Sequence, residues 1–174
     1  MKKIILLGYM GCGKSTIANK LSSAIGISFV DLDKIIEERE KSTINSIFEQ
    51  KGELYFRKLE HTLFLELLNE SKELIIGLGG GTPCYANNHE LLRGEHILSV
   101  YLRASIDTLF NRLVSNKSKR PLIANKNESE MKEFIAKNLF ERSFYYNHAT
   151  HIINVDNQSI SDTIQELLEI IKKS

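Results

Sequence analysis

Cysteine is scarce in this sequence, with only Cys12 and Cys84 present. Two cysteines are too few for a disulfide framework, and their spacing suits no metal site, which fits a reducing compartment. Charge of one sign is also missing: 23 Lys and Arg stand against 22 Asp and Glu, for a net charge of +1. With no broad positive field to grip nucleic acid, an anionic partner has to be bound locally. No apolar run approaches the roughly eighteen residues that span a bilayer. The start of the chain, Lys2 and Lys3 followed by Ile4 to Leu7, is too short an apolar stretch for a signal-peptide core and reads as a strand. The expectation is a cytoplasmic chain whose partners include neither nucleic acid nor membrane, working as a monomer.

What is present describes an ordinary globular domain. The 174 residues are 42% hydrophobic and 26% charged, a size and composition that support one core burying roughly two-thirds of the unfolded surface. Short apolar, β-rich runs at Ile4–Leu7, Ile27–Val30, Leu74–Leu78, Ile97–Leu102 and His151–Val155 alternate with longer segments of helical period. That alternation predicts an α/β fold with five parallel strands and helices on both faces. From Gly52 to Leu68, the residues Leu54, Phe56, Leu59, Leu63, Leu67 and Leu68 recur at helical spacing and predict a buried stripe, with Arg57 outside it. Ser159 is placed to cap a last helix reaching Ile171. Between Ser115 and Ser129 the composition turns polar around Pro121–Ala124, which reads as a long loop; residues 115–127 are the expected lid over a phosphate. No repeat or domain boundary interrupts the chain, so 1–174 reads as a single domain.

The strongest signal is Gly8-Tyr9-Met10-Gly11-Cys12-Gly13-Lys14-Ser15, followed by Thr16 and the helical pattern of Ile17, Ala18, Leu21 and Ile25. It satisfies G-x-x-x-x-G-K-[ST] with a strand before it and a helix after it. That context matters because the phosphates of a nucleotide rest on free backbone N–H groups at a helix N-terminus. Gly11, Cys12, Gly13, Lys14, Ser15 and Thr16 are therefore nucleotide-binding candidates. Lys14 is expected on the β- and γ-oxygens and Ser15 on Mg²⁺.

Such sites usually take a second acid for the metal from the end of an apolar strand. Leu74 to Leu78 ends instead in Gly79-Gly80-Gly81, without a carboxylate. The other candidate strand ends in Asp31-Leu32-Asp33. An extended backbone there points both carboxylates the same way, one toward the metal's shell and one toward an acceptor hydroxyl; helix capping is the alternative reading of the pair. Arg57, Arg120 and Arg142 each stand in a local pattern, and a planar guanidinium suits a carboxylate or phosphate. Glu53 and Arg57, four apart, equally suit a simple pair on a helix face. The triple glycine suits a close backbone approach to a ligand or a tight turn.

Gly8 to Thr16, Asp31-Leu32-Asp33, Phe56-Arg57 with Glu60, Gly79-Gly80-Gly81, Arg120-Pro121-Leu122 and Arg142 with Tyr146, in this order and spacing, resemble the shikimate kinase family across nearly the whole chain. The resemblance implies a three-layer P-loop kinase fold of the nucleoside-monophosphate-kinase type, with strand order 2-3-1-4-5. It implies ATP-dependent phosphorylation of the shikimate 3-hydroxyl, a step of aromatic amino acid biosynthesis, with Mg²⁺ as cofactor. It also implies roles. Asp33 contacts the acceptor hydroxyls as candidate base; Arg57, Gly80 and Arg142, with Gly79 and Gly81 beside them, bind shikimate, and the shikimate-binding region is about residues 31–61. Asp31 joins Ser15 around the metal, Arg120 reaches the ATP phosphates from the lid, and Arg112 stacks on adenine. A kinase for another small acceptor, such as gluconate or a nucleoside monophosphate, is the alternative; a non-catalytic nucleotide switch has no need of Asp33 and two acceptor arginines. Cys12 stands where the family usually has a smaller residue. A thiol beside Lys14 at a helix N-terminus is expected to react partially with thiol reagents, although simple packing also accounts for it.

Overall fold

The computed structural model describes residues 2–115 and 125–173. Five strands form one sheet in the order β2-β3-β1-β4-β5, with every pairing parallel. They are β1 Lys3–Leu7, β2 Phe29–Asp31, β3 Leu74–Gly77, β4 Ile97–Arg103 and β5 His151–Asn154. Parallel neighbours need crossover connections, and these are supplied by α1 Lys14–Ile25, α2 Leu32–Glu40, α3 Ile44–Asn69, α4 Ile106–Val114 and α5 Glu128–Tyr146, with α6 Ile160–Lys173 closing the chain. Ile4, Ile5, Leu6 and Leu7 are all fully buried, as a central strand covered on both faces requires.

The strand order brings three carboxyl ends together. Leu6 pairs with Gly77, and Gly77 pairs in turn with Asp31. The Leu78 amide continues the ladder onto the Leu6 carbonyl at 3.0 Å. The loop leaving β1, the loop leaving β3 and the end of β2 therefore open side by side at the edge where ligands bind in open α/β sheets.

The expected elements are present, with differences that bear on the site and its surroundings. Strand β2 runs Phe29–Asp31 rather than Ile27–Val30, and helix α2 begins at Leu32, so Asp33 lies in a helical first turn and the extended backbone stops at Asp31. Helix α3 starts at Ile44 and is broken at Gly52, whose φ of 80° and ψ of 168° are not helical. That break resets the phase of the helix, and Leu54, counted in the predicted stripe, is 71% exposed. The stripe holds from Phe56 onward, through Leu63, Phe64 and Leu67. Ser129, placed in the polar loop by composition, belongs to α5, which Asn127 caps in a reciprocal box with Glu130. Of the expected lid, residues 116–124, including Arg120, lie outside the described residues. Ser159 does cap α6: its hydroxyl accepts from the Asp162 amide at 3.1 Å, and its own amide donates to the Asp162 carboxylate at 3.2 Å.

One buried charge fastens the sheet to α3. Lys3 is 2% exposed, and its ammonium donates to the carbonyls of Glu70 and Lys72, just past the end of that helix.

Candidate active site

The loop after β1 turns through Gly13, which caps α1 in a left-handed conformation (φ 104°) that glycine adopts without strain. No side chain caps this helix and its first turn carries no acid. Its leading N–H groups face a cavity of about 760 Å³ lined by Gly11 to Thr16. An open helix N-terminus of this kind binds phosphate through N–H groups and the helix dipole. Lys14 folds back over the loop, donating to the carbonyls of Gly8 at 2.7 Å and Tyr9 at 3.2 Å, which holds its ammonium at the cavity wall. Arg112 reaches the same cavity from α4 and is fixed by bonds to the Cys12 carbonyl at 3.1 Å and the Val155 carbonyl at 3.2 Å. Its guanidinium is thus pinned beside the loop. Cys12 is 1% exposed and packs under the loop. That burial limits the access a thiol reagent needs and favours the packing reading of Cys12.

The capping reading of Asp31 is met by one oxygen of its carboxylate, and the other oxygen turns to Ser15. Oδ1 accepts from the Asp33 amide at 3.1 Å and caps α2, while Oδ2 accepts from the Ser15 hydroxyl at 3.4 Å. A hydroxyl and a carboxylate are hard oxygen donors of the kind Mg²⁺ takes, so the pair suits that ion. Among the described residues no group of three or more His, Cys, Asp or Glu could hold a metal, so nucleotide oxygens and water would have to complete the shell.

Asp33 lines the same cavity even though it stands on a helix. Burial pushes its carboxyl up to about 6, with help from the negative charges of Asp31 and Glu60 and of Glu37, against the lowering effect of Lys14. A carboxylate poised near neutrality is suited to accept a proton. The triple glycine is what admits it. A Cβ on Gly79 would stand 2.7 Å from Asp33 Oδ1, one on Gly80 would stand 3.1 Å from Arg142 Nη1, and one on Gly81 would stand 2.9 Å from Arg57 Nη2. Each glycine makes room for a different site side chain, brought from α2, α5 and α3 respectively.

Arg57 and Arg142 do not line the nucleotide cavity; they lie beyond the glycines that close its far end. Arg57 donates through Nη1 to Glu60 at 2.8 Å and through Nε to Glu53 at 3.4 Å. Arg142 sits over the Tyr9 ring at 5.5 Å and hydrogen-bonds the Tyr146 hydroxyl, which itself donates to the Gly80 carbonyl at 2.6 Å. Two cations, one carboxylate and open backbone therefore converge past the phosphate cradle. Of the predicted residues only Arg120 falls outside the described residues.

Glu60 carries more of this geometry than its sequence pattern suggested. It is 1% exposed and falls on the apolar stripe of α3, four residues after Phe56 and three before Leu63. An acid on a buried stripe is the signal that would have marked it, since a buried carboxylate needs partners. Thr82 and Asn88, both fully buried, had no comparable signal in the short turns after the glycines.

A phosphate cradle at a helix N-terminus, an acid near neutrality and a cationic acceptor pocket on a five-stranded parallel sheet define a P-loop phosphotransferase acting on a small anionic acceptor. The chain belongs to the shikimate kinase family, whose sequence model matches residues 10–172. It is 68% identical over 171 residues to a shikimate kinase of Flavobacterium johnsoniae, covering 98% of this chain and 99% of that one. The fold matches a shikimate kinase structure from Bacteroides thetaiotaomicron with a TM-score of 0.91 at 34% identity over 98% of both chains. It also matches the Acinetobacter baumannii shikimate kinase solved in complex with shikimate, with a TM-score of 0.86 at 31% identity, covering 99% of this chain and 94% of the other.

Proposed function

We propose that this chain transfers the γ-phosphoryl group of ATP to the 3-hydroxyl of shikimate, giving shikimate 3-phosphate and ADP. The observation that carries this reading is the triple glycine, whose backbone lies against Asp33, Arg142 and Arg57 in turn. An acid for a hydroxyl and two arginines for a carboxylate meet at the end of the phosphate cavity, and shikimate presents both groups on one small ring.

In this reading the N–H groups of Gly11 to Thr16 and the Lys14 ammonium hold the triphosphate, while Arg112 lies against the adenine. Arg57, Arg142 and the Gly79–Gly81 backbone fix the acceptor by its carboxylate, so that one hydroxyl reaches Asp33. Asp33 takes the proton as that oxygen attacks the γ-phosphorus, and the bond to the β-phosphate oxygen breaks with ADP leaving. Ser15 and Asp31 would hold Mg²⁺, which neutralises phosphate charge when bound. Arg120 is assigned to the ATP phosphates by its motif alone, and residues 115–127 to a lid by composition. The acceptor region spans about residues 31–61 within a single domain of residues 1–174, and we take the working unit to be a cytoplasmic monomer. Among the described residues no helix is long and apolar enough to cross a membrane.

A coupled ADP-release assay with Mg²⁺ and ATP, comparing shikimate, gluconate, AMP and CMP as acceptors, tests the assignment. Turnover is expected with shikimate alone. Turnover with gluconate or a nucleotide but not with shikimate would overturn it.

A further inference from the structure

Arg57 is useful to a carboxylate only if its planar fork is held in one direction. Nε and Nη1 are taken by Glu53 and Glu60, while Nη2 lies against Gly81 on the acceptor side. What holds these partners is the short segment after the triple glycine, Thr82 to Asn88. The Thr82 hydroxyl donates to Glu60 Oε1 at 2.7 Å, leaving Oε2 for Arg57. The Thr82 carbonyl accepts from Asn88 Nδ2 at 2.9 Å, and Asn88 Oδ1 meets His61 Nδ1 at 2.6 Å. Glu60 and His61 are neighbours on α3, so the network leaves that helix and returns to it.

A second contact comes from the same segment. The Tyr85 ring lies 4.0 Å from the Arg57 guanidinium carbon, and its hydroxyl is hydrogen-bonded to Glu53. Arg57 is thereby covered on a face as well as gripped at an edge. Between Tyr85 and Asn88 the chain reverses through Ala86 and Asn87, with φ of 49° and 56°, and the Asn88 amide donates back to the Tyr85 carbonyl at 2.9 Å. Two successive non-glycine residues in the left-handed region are unfavourable unless the surroundings fix them. Here the reversal puts Tyr85 on Arg57 and Asn88 under Thr82.

We propose that Thr82 and Tyr85 are positioning residues for the acceptor: the Thr82–Asn88 segment acts as an arm that orients Arg57 toward the substrate carboxylate. The inference rests on the acceptor assignment made above. Thr82 works through Glu60 and Tyr85 works through Glu53 and the guanidinium face, so neither needs to touch substrate.

Steady-state kinetics on the full chain test it. Wild-type turnover of shikimate is measured first, so failure of the acceptor assignment appears there and failure of the arm only in the variants. Thr82→Val keeps the shape and deletes the hydroxyl; KM for shikimate should rise about tenfold, the scale of one hydrogen bond to a charged group. KM for ATP should not change, kcat should change little, and Thr82→Ser should restore the wild-type value. Tyr85 is 40% exposed, so Tyr85→Leu keeps a folded chain; it should raise KM for shikimate roughly threefold, as loss of an exposed cation–π contact predicts. In an Arg57→Ala background both substitutions should add nothing, because their effect runs through Arg57. Unchanged KM for shikimate in both variants, or the same rise with Arg57 absent, would overturn the arm.

Discussion

Replacing Asp33 by Asn should damage catalysis and stabilise the fold at the same time. The folded chain raises the Asp33 carboxyl from 3.8 to about 6, chiefly by burial and then by the charges of Asp31 and Glu60. The folded state therefore binds this proton more tightly than the unfolded state. Between roughly pH 4 and pH 6 the native chain holds more protons, so stability falls as pH rises through that window, and the full penalty stands above it. At about 1.4 kcal/mol per pH unit the ionised carboxylate destabilises the neutral-pH fold by up to about 3 kcal/mol. Asn has the same shape and no charge. In metal-free, nucleotide-free buffer at pH 7.5 the variant should melt roughly 5–10 °C above the parent, given the few degrees per kcal/mol expected for a chain of this size. Toward pH 3.5 the two melting curves should converge, because Asp33 is then neutral in the folded state and mostly protonated in the unfolded one. Turnover should fall at least about a hundredfold, as loss of a general base predicts, while ATP binding remains. Circular dichroism melts from pH 3.5 to 7.5 and the ADP-release assay read both effects. A variant that melts at or below the parent at pH 7.5 would refute the buried-charge account, and retained turnover would remove Asp33 as the base.

The parts of this molecule that were legible in its sequence are those whose cause is local. Strand β1, the glycine loop and α1 follow one another within some twenty residues, and each demands the next. The apolar runs of β3 and β4 were readable because a strand buried on both faces has almost no polar residues. Asp31 and Asp33 both line the cavity, but not through the extended backbone expected to bring them there, because the side chain of Asp31 caps α2 and the strand stops at that residue. Leu54 misled for a similar reason: one glycine, Gly52, sets the phase of the helix that follows, and spacing alone does not reveal its φ. The function of the triple glycine was the least legible. What a side chain at each position would meet is Asp33, Arg142 or Arg57, residues from three separate helices, so these contacts exist only after the sheet has assembled. Glu60 lies between these cases, since an acid in an apolar stripe is visible in the sequence but its partner Thr82, twenty-two residues on, is not.

That division of labour among the glycines makes their alanine variants distinguishable. Gly79→Ala places a Cβ 2.7 Å from Asp33 Oδ1 and should depress kcat with ATP binding intact, whereas Gly81→Ala meets Arg57 at 2.9 Å and should act mainly on KM for shikimate. Indistinguishable kinetic defects would mean that the turn merely tolerates no side chain. Away from the site, Lys3→Met tests how the sheet holds α3. Lys3 is buried, and its ammonium bonds the carbonyls of Glu70 and Lys72, where the negative end of the helix dipole also favours a cation. Methionine fills similar space but leaves both carbonyls without their donor, against which stands the relief of no longer burying a charge. The acceptors lie on half-buried Glu70 and exposed Lys72, so water can reach them in part, and the loss of two hydrogen bonds to a charged group should cost about 1–2 kcal/mol net. Urea unfolding should show a lower midpoint at an unchanged slope, with kcat unaltered wherever the chain is folded. An unchanged midpoint would mean that water replaces the ammonium at those carbonyls, and that α3 is held to the sheet by its apolar stripe alone.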